Sequence, residues 1–293
     1  MINNKIKLIA ELGCNHQGVF SNAIKMIDSL ATLANHVDII KFQKRTPKLI
    51  LSETEYNTPH PDSKNAFAET YGLHREFLEF DIEQHKQLKE YCENKNFIYS
   101  SSVFDIQSTK EILSLNPQVI KISSANNNDY NLLEYIDDNY NGEIHISLGM
   151  TTRNEEENIV SRIKNNRQNL VLFACTSAYP TPANKNCLLE ISRLKETYGL
   201  TIKAIGFSGH HLDTIQDIVA VTLGATYIER HFTLDKTLKG TDQKLSLDIN
   251  DFRTLVTNLE IATDTLSYKE SEVLDIEMDV RNRLKFKGEL CQK

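Results

Sequence analysis

The sequence predicts a single-domain parallel (β/α)8 barrel of the TIM type, on three observations. Short β-rich runs recur along the chain, they alternate with segments of helical periodicity, and nearly every run ends abruptly in polar side chains. The runs lie at residues 7–12, 38–42, 97–101, 119–123, 143–147, 170–175, 204–207 and 226–231. Several are continuously apolar, as strands covered on both faces must be. Between them Ala23, Ile27, Leu30 and Ala31 form one helical stripe, Leu88, Tyr91 and Cys92 belong to another, and Leu188, Ile191, Leu194 and Lys195 begin a third. A doubly wound open sheet is the alternative; no Gly-x-Gly-x-x-Gly turn follows the first run to favour it.

The barrel is expected to occupy residues 1–268, with 269–293 a charged, helix-like extension or linker remnant. Residues 44–80 carry neither a helix nor a strand pattern and include Pro47, Pro59, His60, Pro61 and Tyr71-Gly-Leu-His-Arg75. A connection this long predicts a functional lid.

Composition narrows the function classes. Hydrophobic residues make up 40% of the 293, enough for a large core, and the net charge of −7 argues against nucleic acid or anionic membrane as a partner. No run approaches the ~20 apolar residues of a membrane span, and the N-terminus lacks a signal peptide's apolar stretch. Five scattered cysteines (Cys14, Cys92, Cys175, Cys187, Cys291), without metal-finger spacing, fit a reduced cytoplasmic protein.

In a barrel, chemistry gathers at the C-terminal strand ends. Those ends deliver Glu11 with Asn15 and His16, Lys41 with Gln43, Ser101 with Ser102, and Lys121 with Ser123 and Ser124. They continue with Ser147, Thr176 with Tyr179, Ser208 with His210, and Glu229 with His231. Two strand-end lysines can balance a phosphate and a carboxylate on one small substrate, with the serines supplying hydrogen bonds. Two neutral imidazoles, His210 and His231, can bind a divalent ion and leave positions for substrate oxygen and water. Glu229 lies two residues before His231, on the same side of its strand.

Each residue alone has a plainer reading. A strand lysine is commonly a rim ion-pair partner, and a lone histidine is commonly a satisfied structural residue. His36, His74, His85, His145 and His211 take that structural reading, His16 can serve a turn, and His60 belongs to the lid. Cys14 and Cys175 have no evident base and are not expected to be nucleophiles. The repetition of polar ends over eight runs is what points to an enzyme.

The ordered motifs Ile9-Ala-Glu-Leu-Gly-Cys-Asn-His-Gln-Gly18, Ile40-Lys-Phe-Gln43, Ile120-Lys-Ile-Ser-Ser124 and Ser147-Leu-Gly-Met150 carry a resemblance. So do Cys175-Thr-Ser-Ala-Tyr-Pro180, Phe207-Ser-Gly-His210, Ile228-Glu-Arg-His-Phe-Thr-Leu-Asp235 and Gly240-Thr-Asp-Gln-Lys-Leu-Ser-Leu247. Over residues 7–256 the chain resembles the sialic acid synthases, including the N-acetylneuraminate, legionaminate and pseudaminate branches. The resemblance implies condensation of phosphoenolpyruvate with an amino-sugar aldehyde, giving a 2-keto-3-deoxy acid and phosphate through carbon–oxygen cleavage. It implies His210 and His231 as ligands of Mn2+ or Mg2+, and Lys41, Ser102, Lys121, Ser124, Ser147 and Ser208 as phosphoenolpyruvate-binding residues. Tyr179, Glu11, Glu229 and Asp242 fall around the sugar and the reacting carbons; the three carboxylates are the proton-moving candidates, with Glu229 ranked first. It also implies a homodimer.

Some positions depart from the family pattern. Gly209 stands where aspartate is general, Ser177 where asparagine is common, Ser102 where threonine is usual, Ala125-Asn126 where Gly-Glu is normal, and Gln243 where histidine is frequent. The resemblance covers the barrel alone: nothing in the sequence matches the family's C-terminal antifreeze-like domain, and residues 281–288 resemble the linker towards it. The departures leave three other readings: a synthase of an octulosonate type, a Schiff-base aldolase using Lys41 or Lys121, and a non-catalytic paralogue acting as a scaffold.

Overall fold

The computed structural model describes residues 6–33 and 36–286. Eight parallel strands close into a barrel in sequence order: β1 (Lys7–Glu11), β2 (Ile39–Lys44), β3 (Ile98–Val103), β4 (Val119–Ile122), β5 (Glu143–Ser147), β6 (Leu170–Cys175), β7 (Ala204–Gly209) and β8 (Tyr227–His231). β8 returns to pair with β1, aligning Glu11 with His231. Closure leaves no free sheet edge. The outer helices are α1 (Phe20–Ala31), α5 (Ile82–Asn94), α6 (Ile106–Ser114), α7 (Tyr130–Asn139), α8 (Arg153–Arg162), α9 (Leu189–Tyr198), α10 (Ile215–Thr222) and α11 (Ile249–Thr265). The doubly wound alternative is thereby excluded.

Alternation along each strand divides the core in two. One set of side chains packs outward against the helices, among them Leu8, Ile40, Ile120, Ile146, Leu172, Phe207 and Ile228. The other fills the barrel: Ile9, Ile39, Val119, Val171, Phe173 and Tyr227. The continuous apolar runs follow from burial on both faces. Below the site, Glu143 bonds His145 at 2.7 Å, so His145 has the structural role expected of it. His85 bonds the Tyr99 hydroxyl at 2.7 Å, and His211 bonds Arg230 at 2.9 Å.

Residues 44–80 differ from expectation. They contain three short helices, α2 (Pro47–Ile50), α3 (Glu53–Asn57) and α4 (Tyr71–Leu78). The latter two are set by local hydrogen bonds rather than by apolar period: Ser52 and Glu55 form a reciprocal cap on α3, and Thr70 caps α4. α3 buries no residue, so it leaves no hydrophobic stripe to read. The segment docks onto the strand-end loops. A Cβ on Gly18, where φ is +71°, would stand 2.2 Å from the Phe77 carbonyl oxygen, and the Gly240 N–H donates to Asn65 at 2.9 Å.

Beyond α11, a short helix α12 (Met278–Leu284) buries no residue. Cys291 and positions 287–288 of the linker-like stretch lie outside the described residues. Among those described, no helix is long and apolar enough to cross a membrane.

Candidate active site

The strand register assembles a cavity of about 460 Å³ at the C-terminal end of the barrel. Its lining includes all twelve residues singled out in the sequence: Glu11, Lys41, Ser102, Lys121, Ser124, Ser147, Tyr179, Ser208, His210, Glu229, His231 and Asp242. Glu11 aligns with Lys41, Ser102 with Lys121, and Ser208 with Glu229, so neighbouring strands hand polar groups to one another.

Two lysines and two glutamates form the floor. Lys41 Nζ lies 2.7 Å from Glu11 Oε2 and 3.6 Å from Glu229 Oε1. Lys121 Nζ lies 3.2 Å from Glu229 Oε2. Lys41 also donates to Ser102 Oγ at 3.0 Å, Ser208 donates to Glu229 at 2.9 Å, and Gln43 donates to Glu11 at 2.7 Å. Burial tends to raise the Glu229 pKa, but the two ammonium groups overcome it and hold the carboxyl well below its ordinary range.

Lys121 behaves differently from Lys41. Its ammonium sits 3.5 Å from the centre of the Phe173 ring, which occupies the space left by Gly206, where a Cβ would come within 2.5 Å of that ring. Burial, aided by repulsion from Lys41, brings the Lys121 pKa down to about 8. At Lys41 burial also works downward, yet Glu11 and Glu229 together raise the value above normal.

A cluster of small groups lies beside the lysines. Ser124 Oγ accepts from the Gly149 N–H at 3.0 Å. A Cβ at Gly149 would meet Ser177 Oγ at 2.3 Å and Ser124 Oγ at 2.8 Å. Ser177 Oγ is itself buried without a hydrogen-bond partner. Such an orphaned hydroxyl in a lysine-flanked cavity is a ready donor to an anion.

His210 and His231 face each other with ring centres 5.5 Å apart. His210 Nδ1 donates to the Thr176 carbonyl at 3.1 Å, which leaves the Nε2 lone pair for a ligand. Burial, with the neighbouring His231, lowers the His210 pKa to about 4, so the ring is neutral at pH 7. His231 Nδ1 is buried without a hydrogen bond, 3.9 Å from Asp242 Oδ2. Two imidazoles beside a carboxylate fit Mn2+ or Mg2+. No group of three His, Cys, Asp or Glu suited to hold a metal occurs among the described residues, so substrate or water must complete any coordination.

Gly209 has a packing reason. A Cβ there would come within 2.6 Å of the His211 ring, which Arg230 and Asp217 hold in place. His16, by contrast, accepts from the Gly18 N–H and stacks on Phe80 at 4.2 Å, so its role is in the turn.

Arg45 and Arg75 also line the cavity, and neither was singled out as a site residue from sequence. Arg45 continues the every-second-residue series Lys41, Gln43, Arg45, a signal that was available. Arg75 comes from α4, in the segment whose helices the sequence pattern did not reveal.

The profile of the NeuB family matches residues 26–271. This chain is a NeuB family member. An N-acetylneuraminate-9-phosphate synthase from Drosophila melanogaster is 36% identical over 255 residues, covering 87% of this chain and 67% of its own length. The N,N'-diacetyllegionaminic acid synthase of Campylobacter jejuni is 32% identical over 87% of this chain and 75% of its own length. The sialic acid synthetase of Leptospira borgpetersenii, solved with citrate, matches this NeuB chain with a TM-score of 0.80 at 28% identity, over 97% of this chain and 94% of that one. A truncated 3-deoxy-D-arabino-heptulosonate 7-phosphate synthase from Thermotoga maritima shares the fold, with a TM-score of 0.64 at 16% identity.

Proposed function

We propose that this NeuB protein joins phosphoenolpyruvate to an amino-sugar aldehyde in the cytoplasm, releasing phosphate and a sialic-acid-like 2-keto-3-deoxy acid. The observation that carries the reading is the meeting of Lys41, Lys121, His210 and His231 in one cavity. It is supported by relatives that are themselves sugar-acid synthases.

Lys41 and Lys121 supply the positive charge for the donor's carboxylate and phosphate. Ser102, Ser124, Ser147 and Ser208 bond the remaining oxygens, and the orphaned Ser177 hydroxyl joins them. Tyr179, 55% exposed with its ring 4.4 Å from that of His210, borders the acceptor. His210 and His231 would hold a divalent ion, which would supply Lewis-acid polarisation of the aldehyde oxygen. Glu11 and Asp242 move protons at the reacting carbons, while Glu229 serves first as counter-ion to both lysines. The ranking that put Glu229 first among proton carriers is therefore reversed in this reading.

The test measures phosphate release from phosphoenolpyruvate with Mn2+ and a panel of aldehyde sugars, with and without chelator. Release that requires both sugar and metal is expected. No release with any sugar, or chelator-insensitive activity trapped by borohydride, would replace the reading with a scaffold or a Schiff-base aldolase.

A further inference from the structure

Resting on the reading above of Glu11 as a proton carrier, we propose that Arg45 positions its carboxylate through the Gln43 side chain. Arg45 is 4% exposed and held from three sides. Its Nε lies 2.8 Å from Glu79 Oε1, and its backbone N–H donates to Glu79 Oε2 at 2.9 Å. Its guanidinium lies over the Phe104 ring, 4.1 Å from the ring centre. The remaining arm, Nη2, donates to Gln43 Oε1. A guanidinium only donates, so the Gln43 carbonyl must face it and the amide N–H must face away. That N–H donates to Glu11 Oε1 at 2.7 Å, while Glu11 Oε2 meets Lys41 Nζ at 2.7 Å. Each Glu11 oxygen thus has its own partner.

Two further observations point the same way. Gly13, at φ +50°, leaves the room this bond needs: a Cβ there would stand 3.1 Å from Gln43 Nε2 and 3.2 Å from Glu11 Oε1. Charge also alternates along the row Glu79, Arg45, Glu11, Lys41, Glu229, Lys121, with Gln43 the neutral link between Arg45 and Glu11. Without the Arg45 arm, the Gln43 carbonyl keeps only the long contact from Cys14 Sγ at 3.7 Å, and the amide is free to turn away from Glu11. The carboxylate then pivots on Lys41 alone. The task needs a fork, one arm for Glu79 and one for Gln43, which the single ammonium of a lysine lacks.

Steady-state kinetics on the intact protein test the role, with phosphoenolpyruvate, Mn2+ and the panel sugar that supports phosphate release. Arg45→Lys keeps a cation for Glu79 and loses the fork to Gln43. It is expected to lower kcat about tenfold while both KM values stay within about twofold. In a Glu11→Ala background the same change is expected to add no further loss, since the group it acts through has gone. A urea-unfolding cycle over the same four proteins is expected to be non-additive too, and it decides alone where Glu11→Ala leaves no turnover. The inference is overturned by an unchanged kcat, by losses that multiply in kcat, or by additive unfolding free energies. A raised KM for either substrate would also overturn it, by making Arg45 a substrate contact. Should Arg45→Lys not fold, Arg45→Gln combined with Glu79→Gln, which strands no buried charge, takes its place. Failure of every sugar to support release would strike the condensation reading, while the urea cycle would still decide whether Arg45 acts on Glu11.

Discussion

At the residue scale, the two lysines set different limits. Lys121 holds its proton below a pKa of about 8 and loses it above. Anion binding that depends on its charge is therefore complete well below that value and weakens as pH rises through it. KM for phosphoenolpyruvate is expected to be level in the neutral range and to climb above pH 8, read from a pH series. Lys121→Arg, whose guanidinium cannot deprotonate there, is expected to flatten the climb; an identical rise in that variant would assign the titration elsewhere. His231→Ala removes one of the two imidazoles proposed to hold the metal, at a strand end. Turnover is expected to fall to background with the circular dichroism spectrum unchanged, and calorimetric titration with Mn2+ is expected to lose its signal.

Gly209 and Gly18 each sit where neighbouring elements pack too closely for a side chain. A side chain at 209 must displace His211, which Arg230 and Asp217 fix, so Gly209→Asp is expected to cost about 1–3 kcal/mol by strained packing. Gly18→Ala meets both a positive φ and the Phe77 carbonyl, and its cost is expected to be of the same order, about 1–3 kcal/mol. Urea unfolding measures both. An unchanged midpoint for Gly18→Ala would mean that α4 sits more loosely on the β1–α1 loop than its contacts imply.

What was legible follows from how each element is specified. The eight strands are covered on both faces, so their apolar runs and polar ends stand out in the sequence. The strand-end parity that places Lys41 and Gln43 inside the barrel also places Arg45 there, although its charge alone gave no such sign. α3 and α4 escape periodicity because caps such as Ser52 with Glu55 define them and few apolar residues do. The ion-pair partition was beyond sequence: only three-dimensional closure shows that Glu229 reaches both lysines.

On the scale of the whole molecule, the closed barrel carries the core, and α12 adds no buried residue to it. A chain ending at 268 is expected to melt within a few degrees of the full chain by scanning calorimetry. A large drop would show that the segment after α11 braces the barrel. The neutralised floor has its own consequence. Because each lysine already rests against an internal carboxylate, an incoming anion must outcompete a built-in rival before it can settle. Simple salts such as chloride, offering one weak contact, are poor contenders, whereas a donor with several oxygens in the right places can win the exchange. The protein thus screens its solutes by demanding a swap, with no need for an empty positive well that any passing ion could fill.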